Sequence, residues 1–207
     1  FQKKSLLLKL TDSMNAIWKL DFFDLIEQYL VLLGLRKDPY NNFEELEVLF
    51  EEFGNKPFYF FLFAKNTFYD RGTSIYNFSF RKLIKNTADL NTVSLLASYA
   101  SQKEPKILFE ECRQLKKLIL SKVDSVRFNY GLLSASSSYY TLLDQEIQMD
   151  FSMGYIEEVG YRASTAVPFY FYDLNNDIQT PLKIHPIVAE EKGLRKFSTQ
   201  KAFKKLE

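Results

Sequence analysis

The chain carries few of the side chains that acid–base or metal chemistry requires. Its one histidine, His185, lies within the strand pattern LKIHPIV and precedes a proline, which is more typical of a structural histidine than of a catalyst. The sequence has no glycine-rich phosphate loop and no nucleophile elbow. The serines at 134–138 have no nearby base and are better explained as helix caps. The sequence therefore predicts no catalytic residue, and it supports neither a serine hydrolase nor a Rossmann dehydrogenase.

Another set of side chains suits binding better than catalysis. In α/β folds, functional residues collect at the carboxyl ends of the strands. We expect the polar and aromatic residues at these positions to line one cleft, where arginines donate hydrogen bonds from a fixed charge and tyrosines stack on sugar rings. The alternative for the arginines is an ion pair with Asp150 or Asp173. The expected cleft residues are Ser13, Asn15, Arg127, Asn129, Asp150, Tyr155 and Arg162.

The elements that must position these residues alternate along the chain. Short apolar or aromatic runs predict strands, and apolar residues at spacings of three and four predict helices. The alternation predicts an α/β fold with a mostly parallel sheet, either open or closed into a barrel. Strands are predicted at 5–11, 56–63, 93–98, 125–130, 150–153, 166–172 and 182–188, and helices at 17–35, 43–53, around 80–84, 104–120, 136–148 and 198–206.

Composition narrows the class of protein further. The 207 residues fit a single domain. Because 27 basic residues face 26 acidic ones, nothing in the charge balance favours a nucleic-acid partner. No apolar run reaches the roughly 18 residues that a membrane span needs. The single cysteine, Cys112, rules out an internal disulfide and favours a reducing, cytoplasmic location. Because the chain starts at Phe1, we expect it to be a fragment of a longer protein.

Five segments carry a resemblance to a known family: GLRKDPYNNFEEL at 34–46, KPFYFFLF at 56–63, FRKLIK at 80–85, DFSMGY at 150–155 and GYRASTAVPFYFYDL at 160–174. With them the chain resembles polysaccharide deacetylase-like proteins (NodB homology, carbohydrate esterase family 4), in the branch found in bacterial surface-polysaccharide loci. The resemblance implies a distorted (β/α) barrel, here incomplete at its carboxyl-terminal end. It also implies an ancestral reaction in which a divalent metal, usually zinc, helps to hydrolyse an N-acetyl group from a sugar.

The resemblance also indicates that the metal ligands have been replaced. The Asp-x-Asp pair of the family falls on Ser13 and Asn15, and its two histidine positions fall on Leu96 and Asn129. Leucine has no donor atom, and the remaining side chains do not make the nitrogen, oxygen or sulfur set that zinc requires. We therefore expect no metal ligand and no cofactor in this chain.

Three functions are compatible with this pattern. The first is a catalytically inactive deacetylase-like domain that binds a glycan or a protein partner in bacterial surface-polysaccharide metabolism. The second is an active carbohydrate N-deacetylase in which Asp12, Asp150 and His185 form a non-standard site. The third is a structural domain of a larger protein. The residues that surround the strand-end cleft decide between them.

Overall fold

A computed structural model describes residues 26, 29–31, 33, 35–36, 42–54 and 56–206. The predicted strand at 5–11, most of the predicted helix at 17–35, and the candidate residues Ser13 and Asn15 lie outside this part of the chain. Residues 26 and 29–31 are helical. None of the helices formed by the described residues combines the length and the apolarity needed to cross a bilayer.

The chain divides into two compact units. One comprises Phe1–Tyr59 with Ala64–Thr92, and the other comprises Phe60–Phe63 with Val93–Glu207. The first unit contains helix α1 (Phe43–Glu52) and most of the chain up to Thr92.

The two helices of the first unit lie where the sequence predicts, and α1 also has the predicted bounds to within one residue. Helix α2 (Phe78–Leu90) starts at Asn77, whose side-chain oxygen accepts a hydrogen bond of 2.9 Å from the Phe80 amide. Helix α1 is followed by Gly54 at φ +64°, a conformation that glycine adopts without steric cost. Helix α2 is longer than the predicted segment around 80–84, because apolar Ile84 and buried Thr87 continue its packed face.

The second unit is built on an α/β sheet that is mostly parallel. Strands β2, β3, β4 and β6 pair in parallel, and β5 pairs antiparallel with β6. The spatial order is β1-β2-β3-β4-β6-β5. The strands are β1 (Phe58–Leu62), β2 (Thr92–Ala97), β3 (Ser125–Phe128), β4 (Met149–Asp150), β5 (Phe169–Asp173) and β6 (Ile178–Ile184).

Four α-helices lie among the described residues of this unit. Helix α3 (Pro105–Ile119) buries a leucine stripe, as expected from its periodicity. Helix α4 (Ala135–Asp144) places Tyr139 against Phe171 of β5, with ring centroids 4.9 Å apart. The short helix α5 (Glu191–Leu194) and the carboxyl-terminal helix α6 (Thr199–Leu206) follow the last strand. Tyr139 of α4 also lies close enough to Asp150 to be affected by its charge, so α4 covers the sheet face on which the buried Leu95, Val126 and Ile184 form the core.

The strands at 56–63 and 93–98 are confirmed, and three later predictions need correction. The strand predicted at 182–188 runs from Ile178 to Ile184, because its polar first half pairs with β5 in a hairpin. His185 therefore lies just past the carboxyl end of β6 and not within it. In place of the strand predicted at 150–153, the structure has the two-residue strand Met149–Asp150. Helix α4, predicted to extend to residue 148, ends at Asp144, and Glu146 after it has a φ of +57°.

Two leucines at the end of α3 offer a matched test of this core. Leu118 is 2% exposed, whereas Leu120, in the left-handed turn that ends the helix, is 88% exposed. We expect Leu118→Ala to lower the free energy of unfolding by about 2–5 kcal/mol, because it leaves a cavity. The same change at Leu120 should stay within about 0.5 kcal/mol. Urea denaturation measures both, and equal losses would contradict the packing described here.

Candidate functional site

A small open cleft lies at the carboxyl ends of β2 and β3. Its volume is about 280 Å³. Leu96 and Arg127 are register partners on adjacent parallel strands, so their side chains lie side by side on the same face of the sheet. The cleft is lined by Phe60, Leu96, Arg127, Phe128, Asn129, Tyr130, Gly131 and Glu190.

The charged centre of the cleft is an ion pair. Arg127 Nη2 lies 2.5 Å from Glu190 Oε1, and the two side chains are only 26% and 22% exposed. Arg127 therefore pairs neither with Asp150 nor with Asp173, which corrects the alternative raised for it. Asp173 instead accepts hydrogen bonds from Tyr140 and from its own turn. Sequence reasoning missed Glu190, because it follows the last strand in an irregular connecting segment and no local pattern marks it.

One wall of the cleft is a tight turn of unusual backbone conformation. The strand predicted at 125–130 ends at Phe128, and Tyr130 follows with φ +61° and ψ +13°. A non-glycine residue in the left-handed region costs about 1–2 kcal/mol. The turn is held by Gln102, whose amide nitrogen donates to the Asn129 carbonyl at 2.9 Å. Because such conformers cluster at functional sites, the turn marks this cleft as a candidate binding site.

Asp150 does not line the cleft. In the sheet register it lies beside Val126 and Ile184, and all three side chains are buried on the face that the helices cover. The Ser152 hydroxyl donates a hydrogen bond of 2.5 Å to Asp150 Oδ1. That hydroxyl in turn accepts a hydrogen bond of 2.8 Å from the Phe128 amide. The carboxylate is thus an interior residue, contrary to the sequence prediction.

Burial changes the acidity of Asp150 substantially. Desolvation raises its pKa from 3.8 to about 6, against the opposing hydrogen bonds from Ser152 and the charge of Arg127. Within the described part of the chain, Asp150 Oδ2 and the Tyr139 hydroxyl are buried without a hydrogen-bond partner. Burial, together with the nearby Asp150 charge, also raises the pKa of Tyr139. This carboxyl is therefore stabilised in its protonated form.

His185 and Asp150 lie on opposite faces of the sheet. The His185 amide donates to the Asp150 carbonyl at 2.8 Å, which continues the β4–β6 ladder, so the His185 side chain points away from the face that carries Asp150. On that opposite face the imidazole stacks on Phe151 at 4.6 Å. Burial lowers the pKa of His185, which keeps the ring neutral at pH 7. The two groups do not form an acid–base pair.

The remaining predicted residues lie at or beyond the rim. Arg162 is exposed, and its Nη1 donates to the carbonyl of Gly131, a wall residue, at 3.3 Å. Tyr155 is exposed and does not line the cleft. The structure thus brings Arg127 and Asn129 together in the cleft, with Arg162 beside it.

The cleft residues do not fit the metal that the resemblance implies. Leu96 has no donor atom, Asn129 offers only an amide, and the one carboxylate of the cleft, Glu190, is already paired with the guanidinium of Arg127. Among the described residues, no three His, Cys, Asp or Glu side chains are grouped so that they could hold a metal ion. No catalytic step through a metal follows from this arrangement.

Two larger depressions lie elsewhere on the second unit. One, of about 540 Å³, has walls of mixed charge near Cys112 and Asp124. The other, of about 680 Å³, lies over Tyr170 and Lys183 on the β4–β6–β5 side of the sheet. Neither contains a predicted site residue, so the smaller strand-end cleft remains the candidate site.

Comparison with known proteins adds no family to this description. No protein-family model matches the chain, and no curated protein matches it.

The raised pKa of Asp150 predicts a specific pH dependence of stability. Because the folded carboxyl holds its proton up to about pH 6 and the unfolded one releases it near 3.8, stability falls as the pH rises through this window. The loss amounts to roughly 2–3 kcal/mol. Asp150→Asn removes the ionisable group and with it this pH-dependent loss. Relative to the wild type, the free energy of unfolding of the variant should therefore rise by roughly 2–3 kcal/mol between pH 4 and pH 7. Urea denaturation at several pH values measures the difference.

Asp144→Asn, on the exposed side of α4, is the matched control for the loss of one carboxylate. A constant stability difference between Asp150→Asn and the wild type across pH 4 to 7 would show that Asp150 is ionised in the folded protein, contrary to this prediction.

Proposed function

We propose that the chain is a catalytically inactive polysaccharide deacetylase-like domain that binds a glycan in the strand-end cleft, within bacterial surface-polysaccharide metabolism. One observation carries the proposal. The resemblance assigns two histidine positions, which fall on Leu96 and Asn129, and both residues line the same cleft although they follow different strands. Their convergence supports an old active site whose ligands are gone.

The sheet supports the distorted (β/α) barrel that belongs to this proposal. Phe60 of β1 and Phe151 just after β4 have ring centroids 5.3 Å apart, although β2 and β3 lie between their strands. On a flat sheet three strand spacings amount to about 14 Å. Because side chains stand roughly perpendicular to a sheet, this contact favours a strongly concave face. A concave inner face is what a barrel requires.

The cleft offers the mixture of groups that a sugar recognises. Phe60 and the half-exposed ring of Tyr130 provide apolar surface, while Asn129, Arg127 and Glu190 provide hydrogen-bonding groups. Ligand sites combine mostly apolar walls with a few positioned polar groups in this way. The Tyr130 ring also packs edge-on against the Tyr99 ring, with centroids 6.3 Å apart, and a ring held in place before binding loses less entropy when a ligand binds.

The alternative of an active deacetylase with a new site has less support. It would use Asp150 and His185 together, and these residues point to opposite faces of the sheet. Its third residue, Asp12, lies outside the described residues. The third alternative, a structural domain, would leave the cleft without a ligand.

Two tyrosines of equal exposure test the glycan proposal. Tyr130 lines the cleft and is 45% exposed, whereas Tyr155 is 44% exposed and lies outside it. For an N-acetylglucosamine tetramer, we expect Tyr130→Ala to weaken binding roughly three- to tenfold through the lost ring contact. Tyr155→Ala should leave the affinity unchanged. Isothermal titration calorimetry measures both.

The same oligosaccharide tests inactivity. We expect no acetate release from it by the wild-type protein, even with zinc added. Acetate release that follows enzyme concentration would contradict the proposal, as would equal losses of affinity in the two tyrosine variants.

A further inference from the structure

We infer that Glu190 makes the cleft selective for uncharged sugars over sugars that carry a carboxylate. The inference rests on the proposed glycan-binding function and adds the class of ligand. It concerns one residue that the sequence pattern did not mark, and it follows from the contact between Glu190 and Arg127.

A free arginine at this position would favour an acidic sugar. Its planar guanidinium presents paired N–H groups that match a carboxylate in a two-bond geometry. Uronic acids carry a carboxylate of this kind. In this chain, however, Glu190 already occupies the Arg127 Nη2 donor at 2.5 Å. The cleft therefore contains its own carboxylate where that of an acidic sugar would bind.

The burial of the pair makes displacement of Glu190 costly. Because both side chains are about three-quarters buried, their attraction is screened by solvent less than that of a surface pair. An incoming uronate would have to break the pair and would leave the Glu190 carboxylate unpaired beside a second negative charge. A neutral sugar needs no such exchange. Its hydroxyl groups can donate to carboxylate oxygens and accept from guanidinium N–H groups that remain available.

The other charges near the cleft do not change this balance. Arg127 and Glu190 are the only charged side chains among the described residues that line it. Arg162 is exposed and directed to the Gly131 carbonyl, and Lys103 lies over the ring of Tyr99, 5.3 Å from its centroid. Asp150, behind the sheet, adds negative potential when it is ionised. The cleft walls are therefore close to neutral.

The test compares two probes of equal length on the full chain. These are a neutral N-acetylglucosamine tetramer and an acidic galacturonic acid tetramer. We expect the wild type to bind the neutral probe at least tenfold more tightly. Glu190→Gln keeps the shape of the side chain and frees Arg127, so affinity for the acidic probe should rise roughly tenfold or more. Affinity for the neutral probe should fall, because its hydroxyl groups lose a charged acceptor, so the ratio of acidic to neutral affinity is the quantity that tests the role of Glu190.

Glu191→Gln is the matched control, because it removes the same charge from the adjacent residue, which is exposed and pairs with Arg195 away from the cleft. It should leave both affinities unchanged. In the double variant Arg127→Met with Glu190→Gln, the gain for the acidic probe should disappear. Calorimetric titration at two salt concentrations measures the affinities, and thermal melting checks that each variant is folded.

The outcomes separate the two proposals. If the wild type binds the neutral probe and Glu190→Gln does not shift the preference, the role of Glu190 is wrong and glycan binding stands. A wild type that prefers the acidic probe overturns the role of Glu190 without any variant, so a variant that fails to fold does not prevent the decision. Absence of binding to both probes by all proteins overturns both proposals.

Discussion

The sheet of the second unit depends on the Ser152 hydroxyl group, which completes the hydrogen bonding between β3 and β4. Strand β4 has only two regular residues, although it lies between β3 and β6. Beyond it, the Ser152 hydroxyl takes the place of a backbone acceptor for the Phe128 amide and donates to Asp150 at the same time. Both hydrogen bonds are buried, so water cannot replace the Ser152 hydroxyl as a partner of either group. The carboxyl edge of the sheet is therefore fixed at the point where the cleft begins.

Because of this arrangement, two consecutive residues, Asp150 and Phe151, lie in different environments on opposite faces of the sheet. Asp150 enters the dry, helix-covered face, and Phe151 enters the opposite face with Phe60 and His185. The alternation of side chains along a strand allows no other outcome once the register is fixed. A titratable carboxyl and the lone imidazole are thus kept apart by the sheet itself. The acidity of Asp150 is consequently expected to affect the stability of the fold and not the chemistry of the proposed binding cleft.

The sequence predicted those parts of the fold whose signal is local. The runs KPFYFFLF and VSLLAS formed strands, because apolar side chains on both faces leave a buried strand as the simplest solution. The α/β class followed from their alternation with helices. The extent of β6 and the shortness of β4 were missed, because hairpin pairing and a serine side chain decided them. The partner of Arg127 was missed because an ion pair across 63 positions has no local pattern.

The composition of the cleft agrees better with the proposed binding role than with hydrolysis. Hydrolysis of an amide requires a nucleophile or a polarising cation, and a base within reach of it. In the described cleft, the strongest cation and the strongest base are Arg127 and Glu190, and each neutralises the other. Such a pair offers fixed donors and acceptors but no reactive atom. Beside it, Tyr130 is held in a costly backbone conformation that places its ring in the wall. This composition supports the proposed role of the cleft in glycan binding, because the positions of its polar and aromatic groups are set before a ligand binds.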